Sequence, residues 1–369
     1  MSEPSASAAL PASPALPAAL AAANRHAWVD FAKGFCIVAV VGMWVAGEMQ
    51  GYVGQGRAGW LGYFVIFAKP FRMPDFFLIS GLFLSRVISK PWPQYLDTKV
   101  VHYLYFLCLW TLITVPFTWW LGHDTPANMG DALQTLALAV FYQPHANLWF
   151  IMMLPIYFIA TRLLHRLPVW GVLIAAAGLA MFPLHTGFYP VDRFGVYFLY
   201  FFAGHALAQR FFALAEGSQT HRRVAVAGLL VWAVFNAVAV KRGWPESLLL
   251  SPLLGFLGIS AVVVLSQLLC AQRWAQAVNY LGQHSIVVYL GFYLPMITVV
   301  PALQASAWAA YPSLVATLSM LVCVGLPVGF AWLAERVGLG FLFKRPAWAH
   351  VVAHKPAHNT RLVRPITPV

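Results

Sequence analysis

Long apolar stretches alternate with short polar ones along most of the chain. Ten of these stretches have the 17–25 residues, roughly, that a helix needs to cross the hydrocarbon core of a bilayer. The pattern therefore predicts an all-α, polytopic membrane protein of about ten transmembrane helices. We place the spans at 28–47, 61–84, 101–121, 147–164, 169–184, 194–212, 224–240, 248–269, 285–303 and 311–333.

The composition supports this prediction and excludes a soluble enzyme. Of the 369 residues, 61% are hydrophobic and only 9% are charged, whereas soluble domains carry about 25% charged residues. The basic residues that account for the net charge of +12 are spread over several short loops. We therefore interpret the positive charge as a sign of membrane topology and expect no nucleic-acid partner.

The basic residues also predict an orientation. With both termini in the cytoplasm, sixteen of the 23 Lys and Arg residues fall in cytoplasmic segments, four fall in outer loops and three lie within spans. Cytoplasmic loops of membrane proteins carry such an excess of Lys and Arg. The sequence thus predicts a multi-pass protein of the inner or plasma membrane, with its N-terminus and C-terminus both inside.

Three regions follow from the same pattern. Residues 1–24 are mostly Ala, Pro and Ser and predict a disordered cytoplasmic tail. The transmembrane domain occupies 25–338, and 339–369 is a basic cytoplasmic tail that we expect to contact anionic lipid headgroups. The four cysteines fall within predicted spans or, for Cys270, directly at the end of one, so we expect buried free thiols, with no disulfide framework and no metal site.

Lys33 is the first of several charges at bilayer depth. A charge there costs several kcal/mol, roughly, unless it has a partner or faces water, so its default interpretation is a functional site. Asp30 lies three residues earlier, on the same face of the helix. The alternative is therefore structural, with Lys33 reaching the headgroups and pairing with Asp30.

The second span contains further charges next to two prolines. Pro70 and Pro74 remove backbone donors and open the helix, which is tolerated in a membrane where the segment borders a cavity. Arg72 and Asp75 lie three residues apart within this broken segment. They are candidates for substrate binding, and the alternative is an ion pair that only locks two helices together.

Five short runs then suggest a family. They are Asp30-x-x-Lys33-Gly34, Met73-Pro74-x-Phe76-Phe77-x-x-Ser80-Gly81, Asn147-Leu148-Trp149-Phe150, Phe201-Phe202-x-Gly204 and Leu281-Gly282-x-x-Ser285-Ile286-x-x-Tyr289-Leu290. In order and spacing they resemble the integral-membrane acyltransferase 3 family, over about residues 28–335. That resemblance implies transfer of acetyl or another short acyl group onto sugars or surface polymers.

This chain departs from the family at two histidines. In the family, a basic residue in span one is followed by a histidine to which a central role in acyl transfer is ascribed. Lys33 matches the basic residue, but Trp44 occupies the histidine position, about 16 Å further along the helix. The ninth span often ends in histidine in the family, and Phe292 stands there in this chain. Trp44 cannot act as a general base.

Two other residues are candidates to replace the missing base. Glu48 lies one turn beyond Trp44, and His145 precedes the run at 147–150. Either is catalytic if burial moves its pKa towards neutrality, and the alternatives are an interfacial charge and a polar loop residue. We assign substrate binding and helix pairing to two further groups. Substrate-binding residues are Lys33, Trp44, Arg72, Asp75 and Trp149, and helix-pairing residues are Asp30 and Ser80.

The resemblance implies membrane-embedded transfer of an acyl group from acyl-CoA to a cell-surface glycan, a lipid-linked saccharide or a similar polar acceptor. Acyl-CoA is then a donor substrate, with no bound cofactor expected, and membrane lipids surround the protein. Two alternatives stay open. One is a non-catalytic member of the same fold that binds or translocates an acylated or sugar substrate, which the two missing histidines favour. The other is an unrelated secondary transporter, although only the first half of the chain contains a broken helix.

Overall fold

A computed structural model describes residues 26–49 and 58–352. Every regular element in these ranges is helical, which confirms the predicted all-α class. The predicted tail at 1–24 lies outside the described residues, as do residues 353–369 of the predicted basic tail. The helices are α1 (Ala27–Glu48), α2 (Trp60–Ala68), α3 (Arg72–Gly81), α4 (Trp92–Leu96), α5 (His102–Trp120), α6 (Met129–Phe141), α7 (Trp149–Leu164), α8 (Val169–Met181), α9 (Tyr189–Ala206), α10 (Ala208–Thr220), α11 (Arg222–Lys241), α12 (Leu250–Leu269), α13 (Ala275–Gln283), α14 (Ser285–Gly291), α15 (Tyr293–Gln304) and α16 (Pro312–Arg336).

Each of the ten predicted spans coincides with helix, but not all are complete membrane crossings. Within the described residues, six helical segments are long and apolar enough to span a bilayer. A seventh is obtained if α14 and α15, which meet at an angle of 57°, count as one broken span. The protein is thus a multi-pass membrane protein, and the count of ten and the orientation of the termini stay predictions.

The predicted break in the second span is present. α2 ends at Ala68 and α3 begins at Arg72, with Lys69 and Pro70 in the turn between them. Pro70 has no N–H to donate, so the ladder of α2 cannot continue through it. The Lys69 side chain is 47% exposed at this turn and forms an ion pair with Glu246.

α1 is the central helix of the fold. It packs against α2, α3, α12, α13, α14, α15 and α16. Its apolar residues are distributed around the whole helix, and 72% of its most apolar window is buried inside the protein. In contrast, α11 is only 11% buried and lies at the periphery.

Four glycines of the family-like runs allow helices to cross in backbone contact. A Cβ on Gly34 would lie 2.0 Å from the Val278 carbonyl oxygen, and one on Gly282 would lie 1.7 Å from the Asp30 carbonyl oxygen. These contacts join α1 to α13. A Cβ on Gly81 or Gly204 would likewise meet backbone of the facing helix, which joins α3 to α9. Small residues commonly permit this close approach between membrane helices.

The first part of the predicted C-terminal tail is packed on the helices. Arg345 donates to an Asp97 carboxylate oxygen at 2.8 Å and to the Asp97 carbonyl oxygen at 2.6 Å. The Val351 N–H donates to the same carboxylate. Both members of the Arg345–Asp97 ion pair are almost fully buried. The segment up to residue 352 is therefore fixed to the π-helical turn (Asp97–Val101) that joins α4 to α5.

The cysteines agree with the sequence prediction except at one position. Cys36, Cys270 and Cys323 are buried free thiols, whereas Cys108 is exposed on α5. The prediction that all four are buried was wrong, because lying within a span does not determine whether a helix face meets protein or lipid.

Candidate functional site

One cavity, of about 200 Å³, contains two lysines. Lys33 of α1 and Lys99 of the turn before α5 both line it, and α3 and α14 contribute Ser80 and Ser285. The complete lining is Lys33, Phe76, Ile79, Ser80, Phe83, Lys99, Tyr103, Phe150, Ile151, Leu154, Ser285, Ile286 and Tyr289. We call this the Lys33 cavity. Its lining holds two ammonium groups and no carboxylate, which suits an anionic ligand such as a phosphate.

The sequence predicted Lys33 at such a site but missed Lys99. Lys99 lies in a short polar segment between two predicted spans, so the sequence pattern indicates only a cytoplasmic charge there. The turn that carries it packs against α7, and this contact directs the lysine to the cavity. The ammonium of Lys99 also lies 4.9 Å from the ring centre of Phe158 on α7.

A pair of reciprocal hydrogen bonds joins Tyr289, which lines this cavity, to Asn147. The Asn147 amide donates to the Tyr289 carbonyl oxygen at 2.6 Å, and the Tyr289 hydroxyl donates to the Asn147 carbonyl oxygen. Both residues are buried. Two of the family-like runs are therefore linked directly, and nothing in the sequence beyond the family resemblance indicates this link.

A second cavity, of about 340 Å³, lies at the other end of α1. Trp44 and Glu48 line it together with Tyr293, and the remaining lining is Met43, Gly47, Met296 and Ile297. We call this the Trp44 cavity. The Trp44 and Tyr293 rings meet edge to face, with centroids 6.3 Å apart. The indole, the phenol and one carboxylate give the cavity both an aromatic wall and an acidic group.

His145 approaches the same cavity from the loop before α7. Its ring meets the Tyr293 ring edge to face, with centroids 5.5 Å apart. Its Nε2 atom is buried and has no hydrogen-bond partner among the described residues. The two predicted base candidates, Glu48 and His145, are therefore both neighbours of Tyr293, so the structure brings them to one region.

The two positions at which the family has histidine are also neighbours. The Trp44 and Phe292 rings lie 6.4 Å apart, and Phe292 is fully buried. α14 lines the Lys33 cavity and α15 lines the Trp44 cavity, with Phe292 at the bend between them. The bend therefore lies between the two cavities.

Arg72 and Asp75 do not line either of these two cavities. The Arg72 guanidinium donates to the Val65 carbonyl oxygen at 2.7 Å, which satisfies a carbonyl left open by the break after α2. Asp75 is fully buried and accepts a hydrogen bond from the Cys36 thiol at 2.6 Å. Arg72 and Asp75 thus form hydrogen bonds to Val65 and Cys36, respectively.

The remaining predicted residues have mainly packing contacts. Trp149 packs against Phe77 and Tyr197, with ring centroids 5.9 and 5.6 Å away. Asp30 accepts a hydrogen bond from Gln283 at 3.2 Å, which pairs the start of α1 with the end of α13. Ser80 donates to the Phe76 carbonyl oxygen within its own helix, and it also lines the Lys33 cavity.

Outside the spans, one carboxyl group shows a perturbed acidity with a clear cause. The hydrogen bond from Lys69 lowers the pKa of the Glu246 carboxyl. Both side chains are about half exposed. Exposed pairs of this kind contribute little to stability in water. This contact connects the turn after α2 with the loop before α12.

Comparisons with known proteins agree with the family resemblance of the five sequence runs. A family model described as "Acyltransferase domain" matches residues 26–334. The chain is also similar to the inner membrane protein YcfT of Escherichia coli (strain K12). The two are 22% identical over 371 residues, which cover 90% of this chain and 99% of that protein. No solved structure matches the chain.

Proposed function

The chain belongs to this family of membrane acyltransferases. From that premise we propose that it transfers an acyl group, most simply acetyl, from acyl-CoA to a cell-surface glycan or a similar polar acceptor. The observation that carries the proposal is the pair of cavities at the two ends of α1. One is basic and the other is aromatic with an acidic group. A transfer across the bend at Phe292 would join a donor in the first to an acceptor in the second.

The Lys33 cavity suits the donor. Acyl-CoA carries several phosphates, and Lys33 and Lys99 supply two positive charges in a lining without carboxylates. Lysine is a common phosphate ligand because it presents a compact charge with three donors. Under this proposal the two lysines hold the phosphates, and the thioester extends along α14 towards the bend.

The Trp44 cavity suits the acceptor. Aromatic side chains with a polar partner present the mixed apolar and hydrogen-bonding surface that polar ligands require. Glu48 or His145 would remove the proton from the acceptor hydroxyl. The hydroxyl oxygen then forms a bond to the thioester carbonyl carbon, the carbon–sulfur bond breaks, and the CoA thiolate takes up a proton.

A purified-enzyme assay tests the proposal. Wild-type protein should transfer label from acetyl-CoA to surface polysaccharide isolated from cells that lack the protein. The Glu48→Gln, His145→Ala double variant should lower turnover by about 10²–10⁴-fold, the usual contribution of general acid–base catalysis. Acetyl-CoA affinity should stay unchanged, because neither residue is assigned to the donor. Glu216→Gln is the matched control, because this carboxylate is exposed on α10 and lines neither cavity.

A second function is favoured by one observation. Trp44 and Phe292 occupy the histidine positions of the family and pack against each other, as expected of a binding site that has no proton-transfer group. In that case the protein binds or translocates an acylated or sugar substrate without chemistry. Wild-type protein that binds acyl-CoA and transfers no label would support this alternative and reject acyl transfer. Full activity of the double variant would reject only the two assigned bases.

We further propose that the protein resides in the inner or plasma membrane with both termini in the cytoplasm. The support is the distribution of basic residues and the similarity to an inner membrane protein. Cysteines introduced at Lys90 and Asp131 of a Cys108→Ser variant test the orientation. Impermeant maleimide should label intact cells at position 131 and not at position 90. The reverse pattern would refute the proposed orientation.

A further inference from the structure

A basic surface at the end of α7 lies apart from both cavities. Arg162 is 9% exposed, and its guanidinium carbon lies 4.1 and 4.4 Å from the ring centres of Trp92 and Tyr95. The guanidinium also donates to the Lys90 carbonyl oxygen. Because two rings and a carbonyl hold this side chain, its charge has a fixed position at the end of the helix.

A cavity of about 370 Å³ lies beside this arginine. Its charged side chains are Arg162 and Arg166, with His165 between them in sequence, and its lining contains no carboxylate. The Nη1 atom of Arg162 is buried without a hydrogen-bond partner among the described residues. The guanidinium therefore retains a donor, and paired guanidinium donors are well suited to phosphate oxygens.

An apolar groove of about 280 Å³ begins on the same turn of the chain. Leu164 and Leu167 line its first part, and Val172, Ala176 and Phe198 continue it along α8 and α9. All ten residues of its lining are apolar or glycine. A soluble anion makes no favourable contact with such an apolar groove, whereas the acyl chain of a lipid would fill it.

We propose that these two surfaces form one binding site for an anionic phospholipid. The headgroup phosphate binds between Arg162 and Arg166, and one acyl chain lies in the groove along α8. Basic pockets between membrane helices are known to recognise anionic headgroups. Trp92 and Trp170 are 42% and 58% exposed beside the two surfaces, as expected of aromatic residues at the headgroup level.

The headgroup half of the proposal is tested by lipid titration of the detergent-solubilised protein, followed by native mass spectrometry. The probes are phosphatidylglycerol and, as the neutral match, phosphatidylcholine. Arg166→Gln should weaken phosphatidylglycerol binding by about fivefold, which corresponds to the contribution of one basic residue near the surface. Phosphatidylcholine binding should not change. Arg223→Gln is the matched control, because this arginine is equally exposed but lies at the start of α11.

The acyl-chain half is tested with Gly171→Leu. Gly171 lines the groove, and a Cβ added there meets no atom within 4 Å, so the backbone accommodates a side chain at this position. Displacing about two methylenes of the lipid should weaken the binding of long-chain phosphatidylglycerol by about tenfold. The binding of dihexanoyl phosphatidylglycerol should not change. Gly178→Leu is the control, because its Cβ is equally unobstructed and Gly178 does not line the groove.

Three results would overturn the proposal. The first is unchanged phosphatidylglycerol affinity in both Arg166→Gln and Gly171→Leu. The second is competition by inorganic phosphate at the concentration at which phosphatidylglycerol itself saturates, which would identify a site for a soluble anion. The third is loss of acyl-CoA affinity in Arg166→Gln with no change for lipid, which would assign the pocket to the donor.

Discussion

Gly204→Ala should destabilise the protein strongly, because α9 crosses α3 in backbone contact at this residue. The added Cβ would lie 2.1 Å from the Leu78 carbonyl oxygen, whereas ordinary contacts begin at 3.4 Å. The two helices must therefore separate by about 1.3 Å in an interior that is packed like an organic crystal. The obstacle is backbone, which cannot rotate away as a side chain does.

The expected loss of unfolding free energy is about 3 kcal/mol, at the upper end of the range for overpacked interiors. Thermal unfolding in detergent, followed by the surviving monodisperse fraction on size exclusion, should show a midpoint several degrees lower. Gly81 makes the reciprocal contact, with its Cβ 2.2 Å from the Phe201 carbonyl oxygen. Once the helices have separated, the second alanine costs less, so the Gly81→Ala, Gly204→Ala double variant should lose less than the sum of the two.

Gly228→Ala provides the control for this experiment. Gly228 lies within α11, and a Cβ added there meets nothing within 4 Å. Alanine favours helix over glycine by about 1 kcal/mol, so this variant should unfold at the same temperature as wild type or higher. If the Gly204→Ala and Gly228→Ala proteins unfold at the same temperature, the close-packing argument is refuted.

Three further predictions concern the two cavities and the C-terminal segment. Lys99→Gln should raise the KM for acyl-CoA by about tenfold and leave kcat nearly unchanged, as expected when uniform binding to a phosphate is lost. Trp44→Ala should weaken acceptor binding, measured as a higher acceptor KM with acyl-CoA binding unchanged. Arg345→Gln should lower the unfolding free energy by about 2–3 kcal/mol, because the buried Asp97 carboxylate then keeps only His350 and the Val351 N–H as partners. Lys344→Gln at the neighbouring exposed position should change stability by less than about 0.5 kcal/mol, and equal melting of these two variants would contradict the structural role of the Arg345–Asp97 pair.

The sequence predicted those features that depend on local chemistry. The break between α2 and α3 follows from Pro70 and Pro74, since a missing backbone donor acts wherever the residue lies. The placement of Trp44 and Glu48 at one cavity also follows from sequence, because residues four apart share a helix face.

The partners of the buried charges could not be predicted in the same way. The i, i+3 spacing suggested that Asp75 pairs with Arg72, but its carboxyl group contacts Cys36, 39 residues earlier on α1. Spacing along one helix shows which residues share a face and contains no information on which helix packs against it. The same limit explains why Lys99 was missed, because its contact with the cavity depends on how its turn packs against α7.

The contact between Trp44 and Phe292 has an evolutionary consequence. Trp44 lies on α1 and Phe292 at the bend between α14 and α15, 248 positions apart, yet their rings touch. A histidine restored at position 44 alone would be smaller than the indole and would leave a gap beside a fully buried phenyl ring. Relatives of this chain should therefore show correlated substitution, with aromatic residues at both positions or histidine at both. The two positions would then change together, and the chemistry of the site would change with them while the surrounding helices stay the same.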